Sequence, residues 1–233
     1  MLPIFQKKTP KRCAAVIVAA GTASRMNGID KVMAELDGKP VIWYAIRAFD
    51  LNPMIDEIVV VTRADLLSVV AKLCADHEFS KVRNVVLGGN CRARSVLNGI
   101  AQLTNVTHIA VHDAARPLVS QGVITQTVQK ALDTGAAAPA IPVKDTVKLA
   151  ENGIVTQTPP RDRLFAVQTP QVFDAAILRA ALENAATKEL PITDDCSAAE
   201  AIGMKISLTA GEERNFKITT QADLRLARLW MEE

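Results

Sequence analysis

Cys13-Ala14-Ala15-Val16-Ile17-Val18-Ala19-Ala20-Gly21-Thr22-Ala23-Ser24-Arg25-Met26 is an apolar run that gives way to a loop of small residues, with Lys31 a short distance beyond. An unbroken apolar stretch of this kind predicts a strand buried on both faces of a parallel sheet. Small residues just past it let a ligand approach the backbone, and in open α/β sheets ligands bind at the carboxyl ends of the strands. Backbone N–H groups there, flanked by Arg25 and Lys31, form a receptor for a polyphosphate. The loop lacks the Gly-Lys-Ser/Thr ending of a P-loop, and Ala23 stands where a dinucleotide fingerprint needs its second glycine. A tight turn with two solvated cations accounts for the same residues equally well, so the reading depends on the rest of the chain.

The chain has 233 residues, 49% of them hydrophobic, enough for a sizeable core within one α/β domain spanning 1–233. Its 27 basic and 25 acidic residues leave a net charge of +2, which gives no broad electrostatic footprint for nucleic acid, so anion binding has to be local. Cys13, Cys74, Cys91 and Cys196 form no CxxC pair and share no metal-ligand spacing with the three histidines. They read as reduced thiols of a cytoplasmic protein. No apolar run reaches the length of a membrane span, and Leu2 to Lys8 lacks a signal-peptide core.

Strand-like and helix-like patterns then alternate, which is the signature of an α/β fold. A helix is expected over Val41 to Phe49 after Gly38-Lys39-Pro40, a strand over Ile55 to Thr62, and a helix over Asp65 to Asp76. Strands over Val82 to Leu87 and His108 to His112 flank a helix over Ala93 to Leu103. A helix over Val123 to Leu132 and a strand over Ala136 to Pro142 follow, and Gln221 to Met231 closes the chain as a helix. Between about 143 and 170 the rhythm breaks: Thr146 to Leu149 and Ile154 to Gln157 flank Glu151-Asn152-Gly153, and Asn-Gly between such runs signals a hairpin. The hairpin has little apolar face and has to lie on something, either the edge of the main sheet or a second subunit.

Polar clusters follow the strand ends. Gly88-Gly89-Asn90-Cys91-Arg92-Ala93-Arg94-Ser95 offers backbone donors at a helix start, or else a glycine turn capped by Asn90. In His112-Asp113-Ala114-Ala115-Arg116-Pro117 the aspartate can accept from sugar hydroxyls or orient a metal while Arg116 pairs with phosphate; the alternative is an Asp–Arg pair holding the loop. His112, a lone histidine ending a buried strand, is read as structural. Thr193-Asp194-Asp195-Cys196 reads as a helix cap followed by acids favourable to the helix dipole. Arg161-Asp162-Arg163 and Asn215-Phe216-Lys217-Ile218-Thr219-Thr220 add further polar groups, and Lys217 taken alone is an ordinary surface lysine.

Together these segments resemble the 2-C-methyl-D-erythritol 4-phosphate cytidylyltransferase family of the non-mevalonate isoprenoid pathway, from about Ala14 to Ala227. The matches are Ala19-Ala20-Gly21 with Arg25-Met26, Gly88-Gly89 to Ser95, Val111 to Pro117, Gln168-Thr169-Pro170-Gln171, Thr193-Asp194, and Asn215 to Thr219. The resemblance implies a Rossmann-like, doubly wound, mostly parallel sheet of nucleotidyltransferase type with a protruding β-hairpin arm. It implies transfer of CMP from CTP to methylerythritol phosphate with release of pyrophosphate, and Mg²⁺ held mostly by the CTP phosphates with no protein ligand.

By position, Arg25, Lys31, Arg161 and Lys217 are then catalytic, the first two neutralising charge on the phosphates and the last two positioning the acceptor. Ala19, Ala20, Gly21, Gly89, Asn90, Ser95 and Ala114 hold CTP. Asp113, Arg116, Thr146 and Thr193 contact the polyol phosphate, Thr146 from the arm, which in this family crosses to the partner of a homodimer. Ribitol 5-phosphate cytidylyltransferases share much of the pattern, and a catalytically idle nucleotide-binding protein is the reading from another class. The chain departs from the family in three places. Its glycine-rich loop reads Gly21-Thr22-Ala23-Ser24-Arg25, Asp30-Lys31-Val32 replaces Pro-Lys-Gln, and Asn90 replaces an acid. An acid beside Lys31 is expected either to hold its ammonium or to compete with phosphate for it.

Overall fold

The computed structural model describes residues 11–21 and 30–232. The chain runs β1 (Cys13–Val18), a short ladder of β2 (Glu35–Leu36) with β3 (Lys39–Pro40), α1 (Val41–Leu51), β4 (Glu57–Thr62), α2 (Leu67–Asp76), β5 (Val82–Leu87), α3 (Arg92–Ile100), β6 (His108–Asp113), α4 (Gln121–Thr134) and β7 (Ala136–Pro142). Then come β8 (Leu149–Glu151), β9 (Ile154–Gln157), β10 (Phe165–Val167), β11 (Gln171–Asp174), α5 (Ala175–Thr187), α6 (Asp195–Glu200), β12 (Ser207–Ala210) and α7 (Gln221–Met231).

The main sheet is ordered β10-β7-β11-β6-β1-β4-β5, with β12 also paired to β7. β6, β1, β4 and β5 are mutually parallel, and β11 enters antiparallel between β6 and β7. Alternation along β1 shows why its sequence is apolar throughout: Cys13, Ala15 and Ile17 pack on one face with α1, α2 and α4, while Ala14 and Val16 pack on the other with α3, α5 and α6. A third cluster joins Leu36 and Val41 to Ile218 and Leu224, seating α7 against the β2–β3 ladder.

The helix and strand expectations hold with small shifts at the ends. The strand expected from Ile55 starts at Glu57, because Ile55 packs as a core plug ahead of the ladder. The helix expected from Asp65 is preceded by a 3₁₀ turn over Ala64–Leu66. The hairpin forms later than expected, with β8 over Leu149–Glu151 rather than Thr146 to Leu149. Only Asn152 and Gly153 turn the chain, with φ of 50° and 79°, the positive pair that a two-residue type I′ turn demands. The hairpin pairs only with itself and takes no part in the main sheet.

Candidate active site

The sheet reverses its strand order at β1: the chain moves outward through β4 and β5, then returns to place β6 on the other side of β1. Such a switch point opens a crevice beyond the strands' carboxyl ends. Here it holds a cavity of about 370 Å³ bordered by the loops after β1, β5 and β6, by Lys31 and by Lys217.

Two glycines set the shape of this cavity. A Cβ on Gly88 would stand 2.4 Å from the Ala20 Cβ, so glycine there lets the loop after β5 close against the loop after β1, and a Cβ on Gly89 would stand 2.4 Å from the Arg94 Cβ, so glycine there lets the same loop fold back on the first turn of α3. Ser95 Oγ accepts the Gly89 N–H at 3.0 Å and donates to the Cys91 carbonyl at 2.9 Å, which fixes the turn into α3. The N-cap of α3 is Cys91, without a side-chain cap bond, so the alternative in which Asn90 caps this helix is not what the fold uses. Asn90 borders the cavity instead.

A charge cluster forms the floor. Asp113, the last residue of β6, accepts from Arg92 Nη1 at 2.9 Å and from Lys217 Nζ at 2.8 Å, and Arg116 Nε lies 3.7 Å away. Burial works to raise the Asp113 carboxyl, but Arg92, Lys217 and Arg116 overcome it and hold the group well below the usual carboxylate range. Arg92 turns its other edge to Asp195, with Nη2 at 2.6 Å. Asp195 is fully buried at the first turn of α6, where burial pushes its carboxyl upward against the pull of Arg92. Gln171 ties this helix start to β11: its Oε1 accepts the Asp195 and Cys196 N–H groups, and its Nε2 donates to Asp194.

His112 lies beneath, fully buried. The Arg116 carbonyl can only accept, so Nε2 carries the proton and donates to it at 3.1 Å. Nδ1 then accepts from Thr169 Oγ at 3.0 Å, and Thr169 Oγ accepts the Asp113 N–H. Asn215 donates to the Thr169 carbonyl and to Gln168, and the Asn215 carbonyl accepts from Arg116. With the Ile218 N–H on the Ala115 carbonyl at 2.8 Å, these bonds clamp the segment that carries Lys217. The histidine is structural, as expected.

The residues expected to meet do so in large part. Ala19, Ala20, Gly21, Lys31, Gly89, Asn90 and Ser95 border the first cavity, together with Asp113 and Lys217. Thr193, Asp113, Arg116 and Lys217 border an adjoining one of about 250 Å³. Ala114 does not border the first cavity: its N–H is spent on the Val18 carbonyl and its side chain is fully buried, so Ala115 faces the opening. Thr146 and Arg161 are not brought to these cavities. Both are exposed near the hairpin, and Arg161 Nη1 donates to the Lys144 carbonyl at 3.0 Å. Arg25 lies outside the described residues. Asp30 is engaged by Arg63 and by the N–H groups of Val32 and Met33.

Arg92, Asp195, Thr169 and Gln171 were not foreseen as site residues. All four stand inside motifs that the sequence does display. Nothing in a linear pattern says which side chain of Gly-Gly-Asn-Cys-Arg or Gln-Thr-Pro-Gln turns toward Asp113.

Comparison with known proteins gives one consistent result. Residues 13–233 match the family model for 2-C-methyl-D-erythritol 4-phosphate cytidylyltransferase. Curated proteins of that name from Geotalea uraniireducens and Caldanaerobacter subterraneus are 38% and 40% identical, each over 94% of this chain and 97% and 98% of their own lengths. The solved 4-diphosphocytidyl-2C-methyl-D-erythritol synthase of Anaerococcus prevotii superposes with a TM-score of 0.86 at 29% identity, covering 96% of this chain and 99% of that one. The Thermus thermophilus cytidylyltransferase gives 0.76 at 28%, covering 95% and 100%.

Proposed function

The chain belongs to the 2-C-methyl-D-erythritol 4-phosphate cytidylyltransferase family, and from that premise we propose how its residues divide the work. The reaction joins CTP and methylerythritol phosphate to give 4-diphosphocytidyl-2-C-methyl-D-erythritol and pyrophosphate. A phosphate oxygen of the acceptor attacks the α-phosphorus in line. The new P–O bond forms as the bond to the β-phosphate oxygen breaks, and pyrophosphate leaves with that electron pair. No side chain has to act as nucleophile, so the protein's task is positioning and charge neutralisation.

The observation that carries this reading is the continuity of the glycine-walled cavity with the Asp113 cluster. The first takes CTP against the loop of Ala19 to Gly21 and against Gly89, Asn90 and Ser95; the Ala19 and Gly89 N–H groups already donate to the Val61 carbonyl and to Ser95 Oγ, so these two residues shape the cavity while Ala20 and Gly21 face the nucleotide. The second sets Arg92, Lys217 and Arg116 against Asp113, Asp195 and, at its border, Asp194, so the acceptor phosphate is drawn by where Lys217 and Arg116 stand rather than by a net positive charge. Lys217, anchored on Asp113, and Arg116 receive that phosphate, with Thr193 at the rim. Lys31 neutralises charge on the triphosphate, and Arg25 keeps the same role on the strength of its motif. Mg²⁺ is taken to be held mostly by the triphosphate oxygens, and no protein ligand is assigned to it. When bound there, the ion draws charge from the phosphates.

We also propose a homodimer. Leu149, Ile154 and Val155 on the hairpin are 49%, 72% and 55% exposed, and Phe165 on β10 is 46% exposed. A two-stranded ladder with uncovered apolar side chains calls for a partner surface. An arm laid on a second copy would bring Thr146 and Arg161 to that copy's cavities. Among the described residues no helix is long and apolar enough to cross a membrane, and all four cysteines are free, in line with action in the cytoplasm.

Pyrophosphate release with CTP and Mg²⁺, measured with methylerythritol phosphate, ribitol 5-phosphate and no acceptor, tests the reading. Turnover confined to methylerythritol phosphate supports it. Preference for ribitol phosphate overturns the acceptor, and silence with all three makes the chain a nucleotide binder.

A further inference from the structure

We propose that Arg63 is a positioning residue for Lys31, acting through Asp30. The inference deepens the reading of Lys31 as a catalytic cation and rests on it.

Arg63 follows β4 directly, on the edge of the sheet where the cavity opens. Its Nε donates to both oxygens of Asp65 at 2.8 and 2.9 Å, which orients the guanidinium and directs Nη2 to Asp30 Oδ2. The other oxygen of Asp30 accepts the backbone N–H groups of Val32 at 2.9 Å and Met33 at 3.2 Å. Both oxygens of the carboxylate are therefore used, one to close the turn that carries Lys31 and one to fasten that turn to β4. On the far side Val32 is buried and its carbonyl accepts the Ile42 N–H at 2.9 Å, fixing the turn to α1. Lys31 is thus held between two anchors, with its Nζ 3.8 Å from the point where a Cβ on Gly21 would stand.

The arrangement has a second consequence. A carboxylate next in sequence to a phosphate-binding ammonium competes with the phosphate for it, and an arginine bound to that carboxylate removes the competition. Arg63 therefore fixes the geometry of the turn and offsets part of the charge of Asp30, the rest of its own charge being taken by Asp65. Among the described residues it is the one cation that pairs with Asp30.

The two roles separate in a set of variants assayed for pyrophosphate release with CTP, Mg²⁺ and methylerythritol phosphate. Arg63→Gln is expected to lower kcat about tenfold or more while the KM for CTP changes less than about threefold, because the loss falls on charge stabilised in the transition state. Adding Asp30→Asn to Arg63→Gln keeps the acceptor for the Val32 and Met33 N–H groups but removes the unmasked charge, and is expected to run at least about threefold faster than Arg63→Gln alone, while the lost bond to β4 keeps it below the parent. Arg63→Lys keeps a cation at the site and should retain most of the activity, which guards against loss of fold as the explanation. Lys31→Ala serves as the control. If it is inactive while Arg63→Gln stays within twofold of the parent, the positioning role is overturned and the reading of Lys31 stands. If Lys31→Ala is fully active, that reading itself fails. A double variant as slow as Arg63→Gln alone assigns the loss to the clamp on the turn and overturns the masking role, since a mechanical clamp is not repaired by neutralising Asp30.

Discussion

Lys217 Nζ and Asp113 Oδ2 meet at 2.8 Å between the segment ahead of α7 and the end of β6. The contact turns a lysine that looks ordinary in the sequence into a fixed cation at the mouth of a cavity. It also explains why Asp113 stays ionised: the three cations around it outweigh the cost of its burial.

Asp113→Asn should therefore act on the acceptor more than on the nucleotide. The amide no longer compensates Arg92, Lys217 and Arg116, and these lose their common anchor. We expect the KM for methylerythritol phosphate to rise more than tenfold with a smaller change for CTP. Stability should fall by about 3 kcal/mol, the scale for removing one partner of a buried charge network. Steady-state kinetics and urea melts measure the two effects.

On the proposed role of Lys31, neutralising charge that grows as pyrophosphate leaves, Lys31→Ala should lower kcat by about two orders of magnitude or more. The side chain lies at a half-exposed position, so the melting temperature should move by only a few degrees. An unchanged rate would remove Lys31 from the mechanism.

Arg161 and Lys217 allow a subunit-mixing test. If the arm completes its partner's site, Arg161→Ala and Lys217→Ala homodimers are both inactive, yet exchanged subunits form heterodimers in which one of two sites is intact. Random mixing of equal amounts should then recover about a quarter of the parent activity. A mixture that stays inactive would mean that Arg161 serves its own subunit's site and would overturn the shared site.

His112 makes stability sensitive to acid. Burial is the main reason its pKa falls to about 4, against the opposing influence of its bond to the Arg116 carbonyl and the charge of Asp113. The unfolded imidazole titrates near 6.5. Between those values the unfolded chain holds a proton that the folded one does not, so this contribution is complete above pH 6.5. It is lost as pH falls through the window to 4, by about 3 kcal/mol. Asp113 adds its own loss only lower down, below its unfolded value near 3.8. Urea midpoints at pH 7.5 and 4.5 should converge for His112→Gln relative to the parent.

Cys91 is exposed at the cavity while Cys13, Cys74 and Cys196 are buried. A thiol reagent applied to the native protein should modify one cysteine rapidly, and CTP should slow that reaction. Equal rates with and without CTP would place the nucleotide away from the loop after β5.

What could be read along the chain was local. Val82–Leu87, Ala136–Pro142 and Gln221–Met231 were legible to the residue, because apolar periodicity, glycine breaks and a helix cap are written in neighbouring positions. α5 went unread although Asp174 announces it, accepting the N–H groups of Ala176 and Ile177 ahead of an alanine-rich run. β10 and β11 were unread for a different reason: three- and four-residue strands carry too little pattern and exist because β6 and β7 stand ready to pair with them.

The same division runs through the site. Gly88, Gly89, Asp113 and Arg116 stand in motifs that mark strand ends, so their importance is visible in the order of residues. Arg92 joined to both Asp113 and Asp195, Asp30 turned to Arg63, and Arg161 held apart near the hairpin are decided by distances between segments remote in sequence. Residue order sets backbone periodicity and turn chemistry; the direction in which a charged side chain points depends on the burial and counter-charge it meets, and those arise only when the sheet assembles.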